Sequence, residues 1–340
     1  MLPLAPALPS AHIAKIGMII VCGFLFTLFS TAIICITLRG LVSTITGKAP
    51  ATLMIAPSKS SPPSNRLILT FGILTALSFT LATRAVQPAA TAYALFATLL
   101  TFTVGQRFPA GVKMLLHPLV TCTAGTIGAV ALLGYVTSTP FPAMLATYYT
   151  RSAVWGAGDI LASLLGPAVV TFAFTMDRQR KLALARAAEV VFSTIFATLA
   201  SLFGTAYVAR LLKLPASTGL IVIPRTVTAP LAVAIADLLG ANVGLAASVV
   251  ALTGLLGANV AASLLSIFKV KDPVVRGLSV GASAHGLGTA AMSEEGGAFP
   301  FAALAMTLVG IFSTIFIAFP MTRALVLRAA VGVASKSVVQ

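Results

Sequence analysis

Arg225 stands in the stretch IPRTVTAP, between Pro224 and Pro230, inside an otherwise apolar segment. A guanidinium keeps its charge at any physiological pH, and carrying it to the centre of a bilayer costs roughly 2.5 to 3.5 kcal/mol even on a mild insertion scale. Two readings meet that cost. In one, the side chain snorkels to a nearby interface; in the other, it is the counter-charge for a bound anion, assisted by the hydroxyls of Thr226 and Thr228. Asp237 offers a structural partner for it in the same segment.

A second ionisable group, His285, sits in ASAHGLGT among Ser283, Gly286, Gly288 and Thr289. Its plain reading is close helix packing. Gly277 and Gly281 form GxxxG, Ala284 and Gly288 prolong the small face, and such faces let helix backbones approach; His285 then only hydrogen-bonds a neighbouring helix. The chemical reading is that the helix unwinds at His-Gly-Leu-Gly-Thr and turns backbone N–H groups toward an anion at a half-helix N-terminus. A ring that titrates near neutrality can also carry the proton that travels with a carboxylate. Two further stretches interrupt the apolar pattern. In MLLHPLV, His117 precedes Pro118 and reads as interfacial, because a residue before proline is driven out of the helix. In LLGPAVV, Gly166 and Pro167 interrupt a helix in mid-membrane, as either a simple kink or a broken helix.

Other chemistries have no residues to carry them. Cys22, Cys35 and Cys122 lie inside apolar runs without metal or disulfide spacing. The sequence shows no nucleophile elbow and no paired-carboxylate geometry, and the adjacent Glu294 and Glu295 read as a solvated loop. The expectation is a protein that is not an enzyme, holds no metal and needs no cofactor.

The elements that must position Arg225 and His285 are membrane helices. The 340 residues are 58% hydrophobic and only 9% charged, with a mean hydropathy of +1.04, whereas soluble chains hold about 25% charged residues. The formal charge of +15 arises from 22 Lys and Arg against 7 acids, and the bases sit in short connectors such as MDRQRKLALAR (Met176 to Arg186) and KVKDPVVR (Lys269 to Arg276). That placement is a topology signal, because cytoplasmic loops hold the excess of basic residues, and it argues against nucleic acid as a partner. The lipid bilayer is the expected surroundings. The first apolar run, Ile16 to Ile36, is too long for a signal-peptide core and stays as a helix.

Apolar segments run from Ile16 to Ile36, Leu67 to Thr83, Ala89 to Val104, Met114 to Val136, Val154 to Phe174, Val190 to Ala209, Thr218 to Leu239, Leu245 to Phe268, Gly277 to Met292 and Phe301 to Phe319. They predict an all-α polytopic integral membrane protein of about nine to ten transmembrane segments. The Pro/Ser/Lys-rich stretch 46–66 cannot span a bilayer. It divides an N-terminal helix (1–45) from a further segment (67–90), the main membrane domain (91–327) and a C-terminal tail (328–340). If all ten segments crossed, the two basic connectors would fall on opposite faces. The conflict disappears if Thr218 to Gly240, broken by Pro224 and Pro230, is re-entrant. Irregular backbone at membrane depth is tolerated only where protein or a water-filled cavity receives its polar groups, so such a segment marks a site. LLGPAVV and ASAHGLGT are the candidates for paired broken segments of an inverted repeat.

The stretches LLHPLV, LLGPAVVTFAFTMDRQRK, IPRTVTAPLAVAIADLLG, LTGLLGANVAASLL and KDPVVRGLSVGASAHGLGTAAM resemble, in order and spacing, the motifs of the LrgB/CidB membrane family, over roughly Thr91 to Leu327. The resemblance implies an integral membrane protein linked in bacteria to control of murein hydrolase export and cell lysis, framed as holin or antiholin action, and to pyruvate transport. In plants it implies movement of glycolate and glycerate. The family's basic residue in its Pro-Lys-Ser-Val-Thr-like block falls on Arg225, whose planar fork suits a carboxylate, and its serine falls on Thr226. Bacterial members place an acid shortly after the second proline, where this chain has Ala234 and reaches an acid only at Asp237. Met1 to Thr83 reads as a remnant of the LrgA-like half that plant members carry. The functional expectation is a secondary transporter of small monocarboxylates such as glycolate, glycerate, lactate or pyruvate, with a proton as partner. The alternative is a holin- or antiholin-like pore or regulator of envelope integrity, built as a homo-oligomer through Gly277 and Gly281.

Overall fold

Helices make up every regular element among the described residues of the computed structural model, which are 9–46, 63–84, 87–109, 112, 116, 118–150, 152–164, 167, 170, 174, 177, 180–295 and 297–332. Seven of them are long and apolar enough to cross a membrane, and they coincide with seven of the ten apolar segments. The other three, Val154 to Phe174, Thr218 to Leu239 and Gly277 to Met292, are those that glycine and proline interrupt. The chain is a multi-pass integral membrane protein. His117 and Gly166 lie outside the described residues, and Pro167 is helical and exposed.

The chain divides into two compact units, Met1–Lys59 with Thr175–Gln340, and Ser60–Phe174. Helix α1 (Ser10–Thr46) opens the first unit. The second unit contains α2 (Asn65–Ala82), α3 (Gln87–Gly105), α4 (Pro118–Val136), α5 (Phe141–Ala146) and α6 (Ala157–Ser163). The chain returns to the first unit with α7 (Arg180–Ala185), α8 (Ala187–Leu211) and α9 (Ala216–Gly219), the last running into a 3-10 turn (Leu220–Val222). Helices α10 (Ala229–Leu238), α11 (Val243–Ile267), α12 (Pro273–Ala291), α13 (Phe299–Ala318) and α14 (Pro320–Val331) complete it.

Polar contacts fix the directions of α1, α8, α11 and α12 in the first unit. Lys15 Nζ donates to Leu212 O at 2.8 Å, and Arg39 Nη2 pairs with Glu189 at 2.9 Å, so α1 and α8 lie antiparallel with Lys15 and Arg39 at opposite ends. Arg39 also pairs with Asp272, which caps the start of α12 by accepting from Val274 N and Val275 N. The starts of α8 and α12 therefore share the Arg39 end. That is where the basic connectors ending at Arg186 and Arg276 arrive together, as the positive-inside argument expects. Arg276 donates to Val270 O at 2.9 Å and Ala262 O at 3.1 Å, which sets the end of α11 there too. A helix of 25 residues is about 37 Å long, so α11 begins at the Lys15 end, where α8 finishes. The segment between them leaves and returns at that end. It is re-entrant.

A second re-entrant segment enters from the Arg39 end. Within α12, His285 has φ 42° and ψ −140°, outside the helical region, and the chain folds back there. A Cβ on Gly288 would lie 3.1 Å from Val280, although eight residues of straight helix would separate them by about 12 Å. Arg276 Nε donates to Glu295 Oε2 at 2.6 Å, closing the mouth of this hairpin. Gly277 and Gly281 hold its ingoing arm against α13, since a Cβ on either would strike the backbone of Ala298 or Ala302. The GxxxG face is thus covered within the chain itself.

These elements repeat with inverted direction. Helices α8, α11 and α13 begin at Ala187, Val243 and Phe299, at equal intervals along the chain. A hairpin from the Lys15 end follows α8, and one from the Arg39 end follows α11. Lys213 and Lys269 both adopt positive φ, 51° and 58°. At each, the next amide bonds back into the helix, Leu214 N to Ala209 O and Val270 N to Leu265 O, the usual closure of a left-handed C-cap. Each hairpin then opens on P-x-x-x-G-L-x-V, carried by Pro215, Gly219, Leu220 and Val222, and by Pro273, Gly277, Leu278 and Val280. Within the first unit the counterpart of ASAHGLGT is therefore IPRTVTAP; LLGPAVV, the counterpart expected from the sequence, lies mostly outside the described residues.

Candidate functional site

The hairpin tips lie at mid-length of the helices that enclose them. At the first tip, residues 223–226 form a turn between the 3-10 segment and α10, with Pro224 buried in it and Pro230 in the exposed first turn of α10. Arg225 is only 1% exposed, which excludes snorkelling. Its Nε donates to Thr205 Oγ1 at 3.0 Å, and its Nη2 to Gly23 O at 2.8 Å and Thr27 Oγ1 at 2.7 Å. Its Nη1 is buried without a hydrogen-bond partner among the described residues. All three partners are neutral, and no ion pair joins Arg225 to Asp237 or any other acid among the described residues. Burying an unpaired charge is costly, and such arrangements mark functional positions inside membranes. Beside it, the hydroxyls of Thr226 and Ser201 bond at 2.8 Å. Thr228 is half-buried at the N-cap of α10 and makes no side-chain cap bond.

At the second tip, His285 is 4% exposed, and its Nε2 lies 2.8 Å from Val250 O in α11. A carbonyl can only accept, so this nitrogen carries a proton. The bond ties a strained backbone position to a through-going helix; such positions cost of order 1–3 kcal/mol and persist where their surroundings over-determine them. Gly254 makes the tie possible, since a Cβ there would run into the imidazole. Ser283 donates to Ser279 O at 2.7 Å and Thr289 to Ala302 O at 3.3 Å, so both hydroxyl protons are committed to backbone. The helix resumes at Gly286, so the unwinding expected across His-Gly-Leu-Gly-Thr is confined to His285.

The structure thus brings Arg225 and Thr226 together with Gly23, Thr27, Ser201 and Thr205, and sets His285 against Val250 and Gly254. The two tips reach one level on α1. Gly23 adjoins the Arg225 guanidinium, and the next residue, Phe24, clusters with Ala284. Gly23, Thr27, Thr205 and Gly254 escaped sequence reasoning. Gly23 and Thr27, one turn apart on α1, offered a signal, as did Ser201 and Thr205 on α8.

At the Arg39 end the first unit carries a cluster of charges. Arg39 holds Glu189 and Asp272 together, and Arg186 adds a bond to Glu189 at 2.8 Å. Burial alone would raise the Asp272 carboxyl, but the Arg39 guanidinium and the Val275 and Val274 amides hold it below the ordinary carboxylate value.

Two re-entrant hairpins entering a helix bundle from opposite ends, with a buried cation at one tip, define a polytopic membrane protein of the discontinuous-helix class. Within that class the family is plain: residues 98–322 match the LrgB-like family, and the chain belongs to it. It is 38% identical over 234 residues to the plastidal glycolate/glycerate translocator 1 of Arabidopsis thaliana, covering 68% of this chain and 46% of that one. It is 28% identical to the uncharacterized protein YwbG of Bacillus subtilis, covering 40% of this chain and 61% of the relative. It is 26% identical to the antiholin-like protein LrgB of the same organism, covering 47% and 70%. The chain spans about half the length of the plant relative. No solved structure matches it. Gly23 and Thr27 lie outside the family match, so α1 supplies partners of Arg225 from beyond it.

Proposed function

We propose that this protein is a secondary transporter of small monocarboxylates such as glycolate, glycerate, lactate or pyruvate, with Arg225 receiving the substrate carboxylate. The observation that carries the reading is the buried guanidinium with neutral partners and an unpartnered Nη1. A carboxylate is the ligand that supplies both the missing acceptor and the missing charge. The plant relative is named for glycolate and glycerate, which supports this substrate class. Opposed broken segments with their tips at mid-depth suit alternating access. The antiholin-like reading has a distant relative's name behind it. However, the GxxxG face proposed for its homo-oligomer is occupied by α13.

The test is uptake of radiolabelled glycolate, lactate and pyruvate into proteoliposomes, with and without an inward proton gradient. Saturable uptake of at least one supports the reading; absence of all three, with the protein folded and inserted, overturns it. We assign the coupled proton to His285, whose ring is pinned through Nε2 and can take a proton on its other nitrogen when the tip opens. His285→Ala is expected to abolish gradient-driven accumulation while sparing anion exchange, which moves no net proton. Equal loss of both activities, in proportion to folded protein, would reduce His285 to a strut.

A further inference from the structure

The antiparallel register of α1 and α8 aligns two polar ladders. Every fourth residue of α1 from Gly23 reads Gly23, Thr27, Thr31, Cys35, Arg39, and every fourth residue of α8 back from Thr205 reads Thr205, Ser201, Ala197, Ser193, Glu189. Lys15 to Leu212 at one end, Arg225 between Thr27 and Thr205, and Arg39 to Glu189 at the other fix the pairing. All are fully or almost fully buried except Gly23 and Arg39. Small polar residues also suit close helix packing, so the ladder alone decides nothing. The unmet hydrogen bonds along it decide more. Thr31 Oγ1 is buried with no partner among the described residues, and by this register it lies opposite Ala197, the one ladder position on α8 without a polar side chain; Ser193 Oγ, also buried, meets only the Cys35 thiol. With Arg225 Nη1, the Thr31 hydroxyl leaves two buried groups unmet between the charged cluster and the tip, and buried polar atoms without protein partners call for water or ligand.

We propose that the α1–α8 seam is a hydrated path by which small anions reach Arg225 from the Arg39 end, and that the ion pairs of Arg39 with Glu189 and Asp272 are its gate. The path rests on the reading of Arg225 as the anion site. Here the gate is shut: Arg39 spans from α1 to the first turn of α8 and to the cap of α12, so its release frees the helices flanking the path. Arg186 still neutralises Glu189 when Arg39 is lost, and Asp272 still caps α12, which lets a gate variant fold.

The experiment places a thiol beyond the gate. In a background with Cys22, Cys35 and Cys122 replaced by alanine, Thr31→Cys is exposed in proteoliposomes to the membrane-impermeant anion sulfonatoethyl methanethiosulfonate, with total thiol counted after denaturation. If the open form is a minor state of at most about 10%, adding Arg39→Gln is expected to speed labelling about tenfold, and adding Ala197→Leu, which sets a larger apolar side chain opposite Thr31 in this register, to suppress it again. Equal rates with and without Arg39→Gln, or a rate indifferent to Ala197→Leu, would overturn the path. Labelling needs no transport. The expected labelling pattern in a protein that moves no monocarboxylate would keep the path and sink the substrate reading, whereas uptake without that pattern would do the reverse.

Discussion

Replacing Arg225 with methionine is expected to abolish monocarboxylate uptake while leaving the melting temperature unchanged or higher. The two effects have opposite signs because, on the proposed reading, the guanidinium costs the fold and serves the ligand. Its burial is offset only by neutral groups, Gly23 O, Thr27 and Thr205, and exchanging buried charge for apolar volume is often neutral or stabilising by roughly 1–4 kcal/mol. For the substrate the loss is severe, since removing one partner of a buried charge pair costs about 2–5 kcal/mol, or roughly 30-fold or more in affinity. Arg225→Lys keeps the charge but loses the fork, so a higher half-saturating concentration with residual uptake is expected. Parallel measurement of melting and uptake separates the effects. A variant that unfolds would make Arg225 structural, and one that transports normally would remove it from the site.

The second large effect is expected at Gly254. A Cβ at this position meets His285 and Leu287, and His285 has little room to withdraw, held by a strained backbone and its bond to Val250 O. Gly254→Val should therefore push the second tip off α11. Overpacking costs about 1–3 kcal/mol and the lost hydrogen bond about 1 more, so a clear fall in melting temperature should accompany loss of uptake. The double variant Gly254→Val, His285→Ala gives the sharper reading, because alanine vacates the volume that valine claims. It should be more stable than Gly254→Val alone, a non-additivity expected only of side chains in contact. Simple additivity would mean that the glycine serves helix packing elsewhere.

The sequence revealed the topology more fully than the site. Two basic connectors that had to share a face, with Pro224 and Pro230 breaking the segment between them, sufficed to mark Thr218 to Gly240 as re-entrant, because charge parity and helix-breaking act locally. The second hairpin was less legible. Its break is one residue, His285, whose backbone angles no composition shows, and its glycines read equally well as a packing face, which they also are. The repeat inside the first unit went unread because attention fell on glycine and proline, whereas it is written in P-x-x-x-G-L-x-V and in the left-handed lysines before it. The partners of Arg225 on α1 lie 202 and 198 residues away in sequence. A helix that reads as an appendage to the main domain supplies the carbonyl and hydroxyl that hold the cation, and its tolerance for that role rests on Gly23, where a Cβ would stand 2.8 Å from the guanidinium.

The most direct measurement is an experimental structure of the full chain in lipid, determined with and without saturating glycolate. With ligand, density for a carboxylate is expected beside Arg225, one oxygen about 2.7–2.9 Å from Nη1 as charge-assisted hydrogen bonds require, with Thr27 and Thr205 still holding the other nitrogens. Glycolate bound elsewhere, or a glycolate-bound protein in which Nη1 keeps no partner, would contradict the claim that this buried cation is the substrate site.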